Sequence, residues 1–362
     1  MIKKARQLNI LLLSFKKDRG IALAKALDDL GYKVDVDQIG KKNKSVFNNL
    51  RRTFSSLRRL GGHHDVVITE GLDYNGMLSM MLSRFYGTPY ILYDKGFYPD
   101  DAKDTTNILF RFFDRLLNER MFSRAQSIVY LSFFVKGQYL QYFDNKEKLK
   151  EKTIESSVIY HSVDEVFLGN DVEKKSVGIQ LLYVGNLDFT GKASGVELLL
   201  DTMNDPKLAN TMLNIVGSGR HLHRLQERAS HIGLENVIFH GYVEKDRLLE
   251  MYREASVFVY PSFQDSLSTV TMEAQAVGIP VVVTNTSGAQ ELVKNGDTGF
   301  ICEPDQTTLK NHILAMLDDP MLMDQMSCNA RRHIRENLTW DVTAKKFDSI
   351  LRKITAKDVE NT

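Results

Sequence analysis

Residues 257–274 read VFVYPSFQDSLSTVTMEA and decide the fold. Four β-favouring apolar residues come first, then a polar loop, then a helical pattern for which Ser268 is a suitable N-cap. Asp265 falls in the loop and Glu273 in the second turn of the predicted helix. A short apolar strand that runs through a loop into a helix is the repeating unit of parallel α/β sheets.

The same strand–loop–helix pattern recurs along the chain. Continuous apolar strands separated by helices are typical of parallel sheets buried on both faces, and two such series predict two doubly wound domains. We place these domains at residues 1–168 and 169–340, with a helix at 341–362 that packs back on the first domain. The predicted strands span 10–13, 33–36, 66–69, 90–93, 127–131, 157–160, 181–184, 213–216, 237–240, 257–260, 281–284 and 299–302.

The composition excludes several classes of protein. The chain has 362 residues, 43% of them hydrophobic and 26% charged, which is ordinary for a globular protein and excludes a disordered or collagen-like chain. Its two cysteines are too few for a disulfide framework and fit a reducing compartment, so we expect a cytoplasmic protein. Since no apolar run approaches about 18 residues, we expect no spanning helix.

The net charge of +1 conceals an asymmetry between the two halves. Residues 1–160 carry 27 Lys+Arg and 18 Asp+Glu, a net charge of +9, whereas residues 161–362 carry 20 and 28, a net charge of −8. The segment from Lys41 to Leu60 holds seven basic residues and no acid, with Phe47, Leu50, Phe54 and Leu57 at helical spacing. Such a helix is typical of an element that lies on an anionic membrane surface. The alternative is a helix packed on its own sheet with a solvated basic face.

Nucleic acid is a second conceivable anionic partner, but the sequence has no aromatic stacking platform or nucleic-acid-binding motif. We therefore expect no nucleic acid as a partner.

Polar or glycine-rich loops follow several of the predicted strands in the second half. Gly185 and Asn186 follow one strand, in a loop that extends to Gly195 and leads into a helix predicted to begin near Val196. Gly217-Ser218-Gly219 follows the next strand. Glycine lets the backbone approach a ligand closely, and a helix N-terminus receives phosphate. A plain strand-to-helix turn is the alternative for each loop taken alone.

The two acidic residues of the opening stretch bracket a predicted helix N-terminus that binds anions well. Glu273 has the acceptor oxygens to bind a vicinal diol such as a ribose, and Asp265 is suited to the hydroxyls of a second sugar. The alternative for Glu273 is a surface helix residue.

Together with the blocks that follow, this stretch resembles a known family. Asp265 and Glu273, with seven residues between them, are similar to the E-x7-E signature of the family four retaining nucleotide-sugar glycosyltransferases. GIPVV at 278–282, SGAQELV at 287–293 and NGDTGF at 295–300 resemble the next blocks of that family. The resemblance is dense over residues 155–340 and thin over 1–155. It implies the GT-B fold, in which two Rossmann-like domains face each other across a cleft.

The resemblance also implies roles for individual residues. Glu273 would hold the donor ribose, Asp265 the transferred sugar, and Lys192 the diphosphate. Residues 1–168 would bind the acceptor and 169–340 the nucleotide sugar. The other implied donor-binding residues are Gly185, Asn186, Gly217, Ser218, Gly219, Tyr242, Val243, Leu267, Ser268, Thr269 and Val270, and those on the acceptor side are Gly20, Asp94 and Lys95.

The implied activity is retaining transfer from a nucleotide sugar, with a UDP-sugar favoured, to a glycan or lipid-linked acceptor. Cell-surface polysaccharide or glycolipid synthesis would be its setting, at the cytoplasmic face of the membrane. Since the sequence shows no cluster of metal ligands, we expect neither metal nor cofactor.

Two departures from the family pattern leave alternatives open. Asn186 stands where the family usually has Arg, and Asp265 where it has Glu. A non-catalytic nucleotide-sugar-binding subunit is one alternative, and a GT-B epimerase or phosphorylase is the other.

Overall fold

Parallel strands form two six-stranded sheets in the part of the chain that the structure describes. The structure is a computed structural model, and it describes residues 7–14, 17–37, 54–71, 74–94, 96, 117–143, 155–169 and 178–360. The predictions for Lys95 and for residues 41–53 lie outside these ranges. Strand and helix bounds follow.

The strands are β1 Asn9–Leu13, β2 Lys33–Asp37, β3 Val66–Glu70, β4 Tyr90–Asp94, β5 Ser127–Tyr130, β6 Ser156–Val158, β7 Gln180–Val184, β8 Met212–Val216, β9 Val237–Gly241, β10 Val257–Tyr260, β11 Val281–Thr284 and β12 Gly299–Cys302. The helices are α1 Lys17–Asp28, α2 Tyr74–Tyr86, α3 Phe133–Phe143, α4 Thr190–Met203, α5 Leu222–His231, α6 Lys245–Glu254, α7 Thr269–Val277, α8 Gln306–Leu317, α9 Pro320–Asn337 and α10 Trp340–Glu360. Residues 54–60 and 117–124 are also helical.

Unit 1 comprises Met1–Tyr160 together with Trp340–Thr362. Its sheet has the order β2-β1-β3-β4-β5-β6. The apolar side chains of β1 are completely buried, as expected for a strand covered on both faces. The C-terminal α10 belongs to this unit: Phe347 packs edge-on against Tyr93 at 5.3 Å, and the Tyr32 hydroxyl donates to Asp348 at 2.5 Å.

Unit 2 comprises His161–Thr339, and its sheet has the order β12-β11-β10-β7-β8-β9. The central strands β7 and β10 are neighbours, with Phe258 in register with Leu182. All pairings in this sheet are parallel, so every strand ends at the same edge. The loops that follow β7, β8 and β10 are far apart in sequence but therefore lie at the same edge of the sheet.

The predicted α/β fold class is confirmed, and each predicted strand agrees with an observed one to within two residues. The first segment of unit 1 ends at Tyr160, eight residues before the domain boundary proposed from the sequence. The intervening residues pack within unit 2. The Val163 amide donates to Leu338 at 3.1 Å, and Phe167 packs edge-on against Tyr252 at 5.8 Å.

Candidate functional site

The loops that follow β7, β8 and β10 lie side by side at the carboxyl edge of the unit 2 sheet, because β7 has β8 on one side and β10 on the other. In open parallel sheets this edge is where ligands bind. Apart from Tyr242 and Val243, every residue that we assigned to donor binding or catalysis in unit 2 belongs to these loops or to the helices after them. The structure therefore brings the two glycine loops and the 257–274 stretch together.

The two glycine loops approach each other closely. Gly217 has φ +145°, and a Cβ atom there would lie 1.9 Å from the Gly185 carbonyl oxygen. Gly219 has φ +149°, and a Cβ there would lie 2.3 Å from the Asp188 nitrogen. The Leu187 amide donates to the Ser218 carbonyl at 2.9 Å. Contact between the loops thus requires glycine at 217 and 219, and Ser218 is left exposed at the sheet edge.

Asn186 is exposed and caps the loop after β7. Its Oδ1 accepts a hydrogen bond from the Asp188 amide at 2.9 Å, and the Asp188 carboxylate accepts one from the Arg220 amide at 2.8 Å. An asparagine suits this turn because its side chain satisfies a backbone amide two residues later. The side chain at position 186 therefore stabilises the turn and supplies no positive charge to the site.

Lys192 reaches the site from the first turn of α4, which begins at Thr190 rather than near Val196 as the sequence pattern suggested. The helix extends further because two glycines let it lie against the loop after β10. A Cβ at Gly195 would lie 2.0 Å from the Pro261 carbonyl oxygen, and the Phe263 amide donates to Gly191 at 3.1 Å.

Asp265 is buried and forms an ion pair with Lys192, with Nζ 3.1 Å from Oδ2. The Tyr260 hydroxyl donates to the same oxygen at 2.5 Å. Burial, and then the Asp265 charge, raise the pKa of Tyr260 well above its usual range, so this hydroxyl stays protonated and acts as a donor. Lys192 also lies 5.6 Å from the centre of the Phe189 ring and 5.9 Å from that of Tyr260, within cation–π range.

The loop that carries Asp265 is fixed from the other side by the 3₁₀ turn Gly288–Leu292. The Gly288 amide donates to the Asp265 carbonyl at 2.8 Å, and a Cβ at Gly288 would lie 2.1 Å from the Ser266 carbonyl oxygen. Glycine at 288 therefore permits this contact.

The N-terminus of α7 follows Asp265 directly. Ser268 is its N-cap, as the sequence predicts: its Oγ accepts from the Thr271 amide at 3.3 Å. Leu267 and Ser268 are buried, whereas Thr269 and Val270 are half-buried. The dipole of this nine-residue helix places partial positive charge at the same edge as Lys192.

Glu273 lies one turn into α7 and is half-buried. The Tyr252 hydroxyl donates to its Oε2 at 3.0 Å. Tyr252 is completely buried, and burial together with the Glu273 charge raises the pKa of its hydroxyl. Each of the two acidic residues singled out from the sequence is therefore bound by a buried tyrosine.

Tyr242 and Val243 follow β9, next to the loop after β8. The Gly217 amide donates to the Gly241 carbonyl at 2.8 Å, which brings the two segments together. Tyr242 is 71% exposed, and its hydroxyl donates to Glu244 at 3.3 Å, whereas Val243 is half-buried.

In unit 1, Asp94 ends β4 and is buried, and Gly20 lies in α1, where a Cβ would come 2.7 Å from that of Ser14. The Ser14 hydroxyl donates to Glu70 at 2.6 Å. Glu70 ends β3, next to β4, and is buried. Sequence reasoning missed Glu70, although an acid at the end of a buried run was the available signal.

Within the described ranges, no group of three or more His, Cys, Asp or Glu side chains is arranged to hold a metal ion. The described helices also include none with both the length and the apolarity needed to cross a bilayer.

Comparisons with known proteins agree with this architecture. Residues 170–333 match the profile of the family described as Glycosyl transferases group 1. An alignment of 189 positions, which covers 49% of this chain and 47% of the relative, gives 31% identity to an uncharacterised glycosyltransferase of Methanocaldococcus jannaschii. The chain thus matches about half the length of this relative.

Two solved structures share the whole fold. Sucrose-phosphate synthase from Thermosynechococcus elongatus superposes with a TM-score of 0.77 at 19% identity, over 97% of this chain and 100% of the other. Anabaena HepE, solved in complex with UDP-glucose, superposes with a TM-score of 0.71 at 17% identity, over 96% and 100%.

The two parallel sheets, together with the similarity to these solved structures, define the class of the protein as the GT-B fold. The match to the glycosyl transferases group 1 family covers residues 170–333, a little under half of the chain. The resemblance inferred from the Asp265–Glu273 blocks is confirmed.

Proposed function

We propose that the protein transfers a sugar from a nucleotide sugar to a hydroxyl group of a glycan or lipid-linked acceptor, with retention of anomeric configuration. The bond between the anomeric carbon and the diphosphate breaks, and a bond from that carbon to the acceptor oxygen forms. The acceptor proton and the nucleoside diphosphate leave. UDP-sugar is the favoured donor class, since one GT-B neighbour was solved with UDP-glucose.

One arrangement carries the proposal: Lys192, Asp265 and the α7 N-terminus meet at one point of the sheet edge, with Glu273 one turn further along. The lysine and the helix end supply positive charge for a diphosphate, and the two carboxylates supply acceptors for sugar hydroxyls. Such a combination of charges suits a molecule that has both a diphosphate and two sugars.

In this mechanism the residues position the donor and stabilise the charge that develops on the leaving diphosphate. Lys192 donates charge-assisted hydrogen bonds to the diphosphate oxygens. Glu273 binds the ribose and Asp265 the transferred sugar. We favour front-face displacement, in which the leaving diphosphate helps to deprotonate the acceptor.

A panel of UDP-, GDP- and ADP-sugars, each with and without candidate acceptors and in EDTA, tests the proposal. We expect nucleotide release that requires both donor and acceptor and persists in EDTA, and the anomeric configuration of the product is read by NMR. Glu273→Ala should raise the donor KM more than tenfold, whereas Glu250→Ala, which removes an exposed carboxylate of α6, should leave it unchanged. Release from the donor alone, or transfer to inorganic phosphate, would instead favour an epimerase or a phosphorylase.

Asn186 favours a second candidate, a non-catalytic nucleotide-sugar-binding subunit. Its side chain caps a loop and supplies no charge to a leaving group. Under this alternative, calorimetry detects binding of UDP-glucose or GDP-mannose, but no donor in the panel is turned over.

We also propose that unit 1 contacts an anionic membrane surface through the segment 41–60. In its described part, Phe54 is 53% exposed, whereas Leu57 and Leu60 are buried in unit 1 and Arg59 pairs with Asp37. The described helical part, residues 54–60, thus packs on its own unit, as in the alternative stated above, and still presents an aromatic side chain next to basic ones. A Lys or Arg near such a surface contributes about 1 kcal/mol.

Flotation with vesicles that contain phosphatidylglycerol tests the membrane proposal. We expect the wild type to float, and a variant with Arg51, Arg52, Arg58 and Arg59 changed to Ser to float less. Equal flotation of both proteins, or none by the wild type, contradicts it. Vesicles of phosphatidylcholine alone are the control.

A further inference from the structure

Tyr260 is a completely buried tyrosine whose hydroxyl contacts the carboxylate of Asp265. It is the last residue of β10, and its ring stacks on Tyr183 of β7 at 5.6 Å and on Phe258 at 6.1 Å. Because the sheet core is close-packed, a ring held between two others has one available orientation. The hydroxyl is therefore a fixed donor.

Two donors bind one oxygen of Asp265. The Tyr260 hydroxyl lies 2.5 Å from Oδ2 and the Lys192 ammonium 3.1 Å from the same atom. Across the described residues, no side chain or amide donates to Oδ1. A carboxylate held by one oxygen presents the other in a defined direction, where a ligand hydroxyl can donate to it.

The two donors differ in what a bound diphosphate would do to them. Lys192 carries a charge that a diphosphate attracts, so its attraction to Asp265 would be shared with the new anion. The Tyr260 hydroxyl is neutral and donates to Asp265, and the Ser268 side chain is its other hydrogen-bond neighbour. A diphosphate therefore does not attract this hydroxyl as it attracts the lysine.

The geometry points to Tyr260 as a positioning residue for Asp265. Its hydroxyl donates to Oδ2 and so fixes the carboxylate, which leaves Oδ1 to accept a hydrogen bond from a hydroxyl of the transferred sugar. This inference rests on the proposed transfer reaction. Tyr260 lies outside the Asp265–Glu273 motif, and its role is exerted through the Asp265 carboxylate.

Tyr183 provides a matched control. It is the same residue type in the same aromatic stack and is also completely buried, but its hydroxyl has no hydrogen-bond partner among the described residues. Tyr183→Phe and Tyr260→Phe therefore remove the same atom from neighbouring rings, and only the second breaks a hydrogen bond to Asp265.

The experiment compares kcat and donor KM for the two variants, with UDP-glucose or with the panel donor that the wild type turns over. We expect Tyr260→Phe to lower kcat about 10- to 100-fold, the range for a lost hydrogen bond to a buried charge, with donor KM within about twofold. Tyr183→Phe should keep both constants within about twofold. Tyr260→Met, which also lacks the hydroxyl, is the second variant should Tyr260→Phe fold poorly.

A double-mutant cycle shows whether Tyr260 works through Asp265. In the Asp265→Asn background, Tyr260→Phe should change kcat less than about threefold. Additive effects, or equal losses in Tyr183→Phe and Tyr260→Phe, overturn the inference. An inactive wild type overturns the transfer reaction itself, whereas an active wild type with an equally active Tyr260→Phe overturns only the role of Tyr260.

Discussion

Lys192 and Asp265 are little exposed, with 17% and 11% of their side chains accessible to solvent. When one partner of a poorly solvated ion pair is removed, the other remains as an unpaired charge, which is costly. The pair also matters for the proposed reaction, because the same ammonium group would face the leaving diphosphate.

The first prediction concerns this lysine. Lys192→Gln should lower kcat/KM for donor about 100- to 1000-fold, since the loss of a preorganised charge at a leaving group is that costly. Lys310→Gln is the matched control: Lys310 lies 2.6 Å from Asp205 in another ion pair of unit 2, with 25% and 27% of the side chains accessible. Steady-state kinetics on both variants measures the difference. Equal losses would assign Lys192 a structural role only.

At the level of elements, α4 brings Lys192 to Asp265 because Gly195 lets the helix lie against the Pro261 carbonyl. Gly195→Ala would push a methyl group into backbone, so the helix must shift away from the loop after β10. We expect transfer activity to fall at least tenfold and the melting temperature to drop. Gly137→Ala, in α3 with open space around it, should instead raise stability by about 0.5–1 kcal/mol through helix propensity. Thermal melts and donor turnover test the pair. Unchanged turnover in Gly195→Ala would mean that this contact does not position Lys192.

A second element-level prediction concerns pH and the contact of α10 with the rest of unit 1. The Arg352 guanidinium, and to a smaller extent the Tyr32 hydroxyl, hold the pKa of Asp348 below its usual range against the opposing effect of burial. Burial and Asp348 in turn raise the pKa of Tyr32 to about 12, so Tyr32 remains a donor at ordinary pH.

A carboxyl group whose pKa is lower in the folded state stabilises the fold above the unfolded pKa of about 3.9. That contribution is lost as pH falls through the lower, folded-state pKa. Asp348→Asn should therefore reduce the free energy of unfolding more at pH 7 than at pH 3, as measured by urea titration. A difference independent of pH would show that the Asp348 charge is not responsible.

At the scale of the whole molecule, the residues assigned to the nucleotide sugar all lie in unit 2. Hydrogen exchange with and without UDP tests this assignment across the chain. We expect UDP to slow exchange in residues 185–190, 217–220 and 265–273 and to leave that of residues 17–37 and 90–94 unchanged. Protection centred on Gly20 or Asp94 would move the nucleotide to unit 1.

The sequence predicts most of the framework because its signals are local. Runs such as 257–260 and 281–284 consist of β-favouring residues and are bounded by loop residues, so strand positions follow from local composition. The N-cap Ser268 was also predictable, since capping involves only neighbouring residues. These signals sufficed for the fold class and for Asp265 and Glu273 as candidate residues.

The rest of the site depends on contacts between segments distant in sequence, which local patterns do not encode. The sequence identifies Tyr260 only as a strand residue, and the structure shows that its hydroxyl donates to Asp265. Gly195 reads as the end of a loop, so the sequence pattern predicts that α4 begins near Val196 rather than at Thr190. The role of Tyr260 depends on its contact with Asp265, and that of Gly195 on its contact with the Pro261 carbonyl.

The return of α10 to unit 1 affects the order in which a growing chain can fold. Unit 2 is one continuous segment, His161–Thr339, so all of it is synthesised before α10 begins. Unit 1 must wait for that last helix, whose Phe347 covers Tyr93 of β4. Although domains generally fold from the N-terminus during synthesis, here the second unit can complete its fold first. A chain that ends at Thr339 should therefore contain a folded unit 2 beside an unfinished unit 1.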